Sequence, residues 1–356
     1  MAQINNTLST NHQSHSRKTV FYVVIFLLIV IAGLSYIKWF PYYDKAILAS
    51  TTHSIGASIL GDKADLPSAS WDSAWSYALT YFKSVWKAAI LGILLGSLLQ
   101  VLLPTNWLLK MLGKKSFGST AIGGISSLPG MMCTCCAAPM AVGLRKKNVS
   151  VGASLAFWLG NPTLNPATLI FMTFVLSWKF TLLRLVFGII LTFGISYLAN
   201  RFAPKTNTID IDHMLDTEKE NADSFLIKWM NSLGSMLLYI VPAYLLSVLL
   251  MGAVRVWLFP HVSDAAANSI FTVILFAIAG MLFVIPTAAE IPIIQTFMSF
   301  GLGGGPAAAL LLTLPSISLP SLLIVAKSYP KKVLIFVASS VVLLGILSGI
   351  VGMFIL

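Results

Sequence analysis

The chain has 356 residues, of which 57% are hydrophobic and only 10% charged. Soluble domains carry about 25% charged residues, so a soluble globular protein is excluded. Apolar runs without interruption exclude a β-barrel of alternating ten-residue strands. The formal charge of +11 lies mostly in short loops, where basic residues act as topogenic signals rather than as a nucleic-acid surface.

In chain order, a polar tail (1–18) precedes an apolar run over 19–37. That run is longer than a signal-peptide core, and no small-residue cleavage site follows it, so it is expected to be a retained transmembrane helix. Residues 38–76 read as an extracytoplasmic segment. Further apolar segments follow at 77–103, 119–143, 149–175, 180–199, 231–251, 268–300, 303–326 and 333–355. Between them, 200–228 gathers Asp210, Asp212, Asp216, Glu218, Glu220 and Asp223 and reads as a cytoplasmic linker. It divides a first membrane repeat (77–199) from a second (229–356).

The two halves share landmarks. Pro139, Gly152 and Pro162 recur at the same intervals as Pro292, Gly305 and Pro315, and Asn165 lines up with Ser318. Pro166 has its counterpart, Pro320, one residue late. The basic residues decide the topology. If 119–143 and 268–300 are re-entrant hairpins, then Lys110, Arg145, Lys146, Lys147, Arg201, Lys327, Lys331 and Lys332 all fall on the cytoplasmic side. The expected fold is an all-α polytopic membrane protein: two inverted repeats with re-entrant hairpins, plus an extra N-terminal transmembrane helix. This gives seven full spans and two hairpins, and the second hairpin could instead be one span plus a half-helix. Paired broken helices in inverted repeats hold the substrate near the midplane in secondary transporters.

Three groups of residues are candidates for that site. All three cysteines, Cys133, Cys135 and Cys136, lie within four positions, directly after the helix-breaking Pro129-Gly130. Thiolates and thioethers select soft metals and metalloids, so these cysteines are candidate metal or metalloid ligands. The bland alternative is that free cysteine is a common core residue. The second group is Asn161, Thr163 and Asn165, in the doubled Asn-Pro element 161–166, with Ser316 and Ser318 in the matching segment of the second half. Prolines free carbonyls at this depth, and polar side chains there either bind substrate or satisfy the backbone. The third group is Thr287 and Glu290, in the sequence 286–292. Glu290 is the one acid inside an apolar segment, and an intramembrane carboxylate is a functional candidate able to exchange a proton. Alternatively it pairs with Lys83, Lys87 or Arg184 to fix helix packing. Trp39, Tyr42, Tyr43 and Trp178 read as interfacial anchors.

No catalytic constellation or phosphate loop is present, and no histidine lies in an apolar segment, so neither an enzyme nor a cofactor is expected. The runner-up functions are a membrane thiol oxidoreductase and a non-transporting subunit of a complex. The cysteine spacings give no C-x-x-C with two non-cysteine residues between, which disfavours the first.

The stretches 127–139, 156–169 and 283–292, together with 52–56, resemble the YraQ group of predicted bacterial permeases. That group lies within a wider superfamily that includes ArsP-type efflux proteins for trivalent organoarsenicals. The resemblance implies a multi-pass permease of the bacterial inner membrane, partnered by the lipid bilayer and a small-molecule or ion substrate. Efflux of a soft, thiol-reactive metalloid or metal is the expectation for cargo. Coupling ion, direction and any homo-oligomer stay open.

Overall fold

The computed structural model describes residues 20–59, 71–203, 225–258 and 268–356, and every regular element among them is helical. The tail 1–18 and the acidic residues of the linker lie outside the described residues. Six helices among the described residues are long and apolar enough to cross a membrane.

The first of these, α1, runs over Val20–Thr52. The helix does not end at residue 37, as expected from the sequence, but continues through a wide π turn at Ser35–Trp39. The cause is Pro41 at the start of the following run. Its ring would collide with the carbonyl four residues back, and a π turn at that point opens the ladder enough to admit it. Residues 38–52, read from sequence as an extracytoplasmic segment, thus belong to the same helix. Tyr42, expected at the interface, is buried.

α2 covers Trp71–Leu102 and α3 Thr105–Leu112. The segment 119–143 divides at Pro129-Gly130, as its breakers require, into α4 (Phe117–Ser127) and α5 (Thr134–Lys146). The doubled Asn-Pro element divides 149–175 into α6 (Val151–Thr163) and α7 (Pro166–Val175). α8 then runs over Trp178–Phe202.

The second half follows the same order. α9 (Phe225–Leu258) corresponds to α2, and α10 (Ile270–Leu282) to α4. After the break at 283–289, α11 (Glu290–Ser299) corresponds to α5. α12 (Gly304–Ser316) and α13 (Leu319–Val325) repeat the divided pair α6 and α7. α14 (Lys331–Ile355) and α8 are both 25 residues long.

The packing has the same pairing in both halves. α4 lies on α6 as α10 lies on α12, and α12 packs along α14. Across the halves, α5 touches α13 and α11 touches α7. Each helix that restarts after a break therefore meets the helix that follows the proline break of the other half, and the breaks are drawn to the centre. Small residues allow this closeness. A Cβ on Gly92 of α2 would stand 2.2 Å from the carbonyl oxygen of Cys136. Gly92→Ala is expected to lower stability by about 1–3 kcal/mol through overpacking. A methyl group on Gly234 in α9 would meet nothing within 4 Å, so Gly234→Ala should be neutral or mildly stabilising. Thermal unfolding of the two variants in detergent checks the contrast.

Candidate functional site

Backbone broken inside a membrane protein needs partners for its freed polar groups, and side chains from the spans supply them. The Trp39 indole donates to the Pro129 carbonyl at 2.9 Å, and Trp158 donates to that of Thr134 at 3.0 Å. The Tyr77 hydroxyl donates to the Val284 carbonyl, holding the second break on α2. At the end of α6 the Arg184 guanidinium donates to two carbonyls, those of Thr163 (3.1 Å) and Pro162 (2.6 Å). Each of the two long breaks also contains a non-glycine residue with left-handed backbone, Met131 (φ 47°) and Ala288 (φ 69°). Such positions cost about 1–3 kcal/mol and persist where surrounding structure dictates them.

Between the breaks lies a narrow cleft of about 10 Å³, room for about one water molecule. One wall is Cys133, Thr134, Pro162 and Thr168; the other is Thr287, Glu290 and Pro315. Each wall carries a threonine and a proline. Thr134 and Thr287 are separated by the same 153-residue interval as Pro162 and Pro315.

The three cysteines are buried and free, and they do not act as one set. The Cys133 and Cys136 sulfurs are in contact at 2.8 Å, whereas Cys135 faces the Ser318 hydroxyl at 3.4 Å. The helix explains the division. Cys133 is the residue preceding α5, Cys136 lies three positions on and returns to the same face, and Cys135 points a third of a turn away. Among the described residues no group of three His, Cys, Asp or Glu gathers as a metal site. The expected three-cysteine ligand set is thus a pair plus a neighbour.

Glu290 is 1% exposed and forms an ion pair with Arg184, also 1% exposed, at 2.6 Å. Of the three cations weighed from sequence, Arg184 is the partner. The second Glu290 oxygen is buried without a hydrogen-bond partner, as is the Thr168 hydroxyl, and both residues line the cleft. Thr287 accepts a hydrogen bond from the Lys38 ammonium at 3.2 Å.

The remaining candidates make hydrogen bonds to the surrounding helices, while the Asn161 side-chain oxygen and the Asn165 side-chain nitrogen are buried without a partner. Asn165 caps α7 by accepting from the Ala167 and Thr168 amides. Asn161 donates back to the Phe157 carbonyl, and its side-chain oxygen sits where a Cβ on Gly130 would be. Thr163 turns toward Thr192 on α8 at 2.9 Å. Ser316 donates to the Leu312 carbonyl within its own helix. Ser318 meets Cys135. Lys38 and Thr168 were not among the sequence candidates. The lysine was hidden by the early helix end assigned at 37, although an ammonium next to an apolar run was visible.

The comparisons with known proteins follow the same lines. A family model described as a predicted permease, of the ArsP type, matches residues 121–354. The chain belongs to this family. The match begins in α4 and covers both breaks and both proline-divided helix pairs. UPF0718 protein YraQ of Escherichia coli K12 is 50% identical over 91% of this chain and 93% of its own length. UPF0718 protein MJ0584 of Methanocaldococcus jannaschii is 22% identical over 64% of this chain and 80% of its own. No solved structure matches the chain. Membership and the apolar helices together make this permease a multi-pass transmembrane protein of the transporter class.

Proposed function

We propose that this permease is a secondary transporter of the bacterial inner membrane whose two halves are inverted repeats with re-entrant hairpins, carrying a small, soft, thiol-reactive metalloid or metal. The observation that carries the reading is the cleft itself. It lies where the broken segments of both halves meet, with Cys133 on one side and Thr287 and Glu290 on the other. A pocket shared between two halves can open to either face as one half moves against the other.

Within this reading Cys133 and Cys136 engage the cargo, and a trivalent organoarsenical satisfied by two thiolates is a fitting example. Cys135, Ser318, Ser316, Asn161, Thr163 and Asn165 shape the surroundings. Two thiols favour turnover, because a carried solute must leave as readily as it enters. Glu290 is the proton-coupling group. Protonation would release Arg184 from its carboxylate partner and leave it held by the α6 carbonyls alone, which links proton occupancy to the break between α6 and α7.

Flux of a trivalent phenylarsenical into proteoliposomes containing only this chain tests the reading. Flux is expected in the wild type and absent when all three cysteines are serine; unchanged flux in that variant removes the thiols from the mechanism. Glu290→Gln is expected to stay in the membrane and to abolish flux driven by a pH gradient. A normal pH response in that variant rules out the proton role.

A further inference from the structure

Lys38 directly follows the apolar run 19–37 within α1, yet it is only 6% exposed. Its ammonium donates to the Tyr42 hydroxyl at 3.0 Å and to Thr287 at 3.2 Å, and it lies 5.0 Å from the centre of the Tyr42 ring. No carboxylate among the described residues pairs with it. Arg184 and Glu290 neutralise each other, so Lys38 carries a positive charge that no carboxylate answers, and Lys45 near it adds a second cation. The nearby groups that can become negative are sulfur: Thr287, which accepts from Lys38, lines the cleft together with Cys133, and the Cys133 sulfur touches that of Cys136. A buried cation without a counter-charge is costly and marks a functional position. The π turn that carries Lys38 is itself a feature that recurs at functional sites.

We propose, building on the permease reading above, that the Cys133–Cys136 pair binds a monovalent soft d10 cation, copper(I) or silver(I), as a two-coordinate bis-thiolate whose charge Lys38 balances. The number of ligands selects the ion. Zinc in protein sites takes four ligands, and the structure offers two touching thiols with the third turned away. Copper(I) and silver(I) accept two thiolates, and soft sulfur ligands favour them.

The charge points to the same ion. Binding converts two thiols and one monovalent cation into a bis-thiolate complex of charge −1, with release of two protons and no change of oxidation state. With Lys38 protonated, its charge and that of the complex cancel. A trivalent phenylarsenical, bound through the same thiols with loss of two water molecules from its dihydroxy form, gives a neutral adduct that asks nothing of Lys38. The entering ion has to part the two sulfurs. Cys133 lies in extended backbone ahead of the helix (φ −73°, ψ 166°), so its side chain can give way while Cys136 stays fixed.

The experiment measures binding of silver(I) and of phenylarsonous acid to the purified full-length protein in detergent, with protons released per silver bound. Wild type is expected to bind one silver ion with two protons released, and Cys133→Ser or Cys136→Ser to weaken both ligands on the order of a hundredfold. Lys38→Gln is expected to lower the ratio of silver to phenylarsenical affinity by roughly tenfold or more, the weight of one nearby charge in a poorly screened interior. Lys38→Arg should restore the ratio. Equal weakening of both ligands in Lys38→Gln, or silver binding that Cys133→Ser leaves unweakened, overturns the inference. Phenylarsenical binding through the two cysteines without silver binding overturns it too, while leaving the permease reading intact. Failure of wild type to bind either ligand sinks both.

Discussion

Arg184→Met is expected to lower stability by about 3–5 kcal/mol. Methionine fills much of the arginine's volume, so the loss is one of charge and donors rather than of packing. The guanidinium holds Glu290 at 2.6 Å and the carbonyls of Pro162 and Thr163. Without it a carboxylate with one oxygen already unpartnered loses its counter-charge, and the broken end of α6 loses both donors. Thermal unfolding of the purified protein in detergent reads the effect. The double variant Arg184→Met/Glu290→Met separates the causes. If the stranded carboxylate dominates, removing it should recover a large part of the loss; if the double variant is as unstable as the single, the orphaned carbonyls are responsible.

How much of this was legible in the sequence depended on the range of the interaction. Local breakers were readable. Pro129-Gly130, the two Asn-Pro pairs and the prolines around Glu290 each mark a place where a helix divides, because a proline or a glycine acts on its own backbone. Glu290 and the cysteines stood out because charge and thiols are rare in such segments. The partners were less legible. Three cations were reasonable for Glu290, and the choice of Arg184 comes from α8 passing beside the end of α6, which no local pattern encodes. Lys38 was missed because the apolar run stops at residue 37; a π turn lets the helix absorb Pro41 and carry the lysine into the core. Direction was also illegible. Thr163 and Ser316 sit at the breaks, as their positions implied, but a carbonyl four residues back claims each hydroxyl, as is usual for threonine and serine on apolar helices.

Single replacement of Cys133 or Cys136 by serine is expected to weaken soft-cargo binding on the order of a hundredfold, and Cys135→Ser to weaken it far less. The asymmetry follows from the helix start. Cys133 and Cys136 close on each other across one turn, whereas Cys135 is engaged with Ser318 of the other half. Two ligands acting on one atom are not additive. The double variant Cys133→Ser/Cys136→Ser should therefore bind scarcely worse than either single one, since the first substitution already removes the two-sulfur site. Titration of the purified variants with the phenylarsenical measures all four affinities. Losses that simply sum, or an effect of Cys135→Ser equal to the others, would mean that the cargo meets the sulfurs one at a time rather than as a pair. Cys135 has a separate expected signature. Its contact joins α5 to the start of α13, one of the two places where a restarted helix of one half rests on the other half. Cys135→Ser should therefore change the rate of flux more than the affinity, because what it alters is how firmly the halves hold together while the cargo is bound.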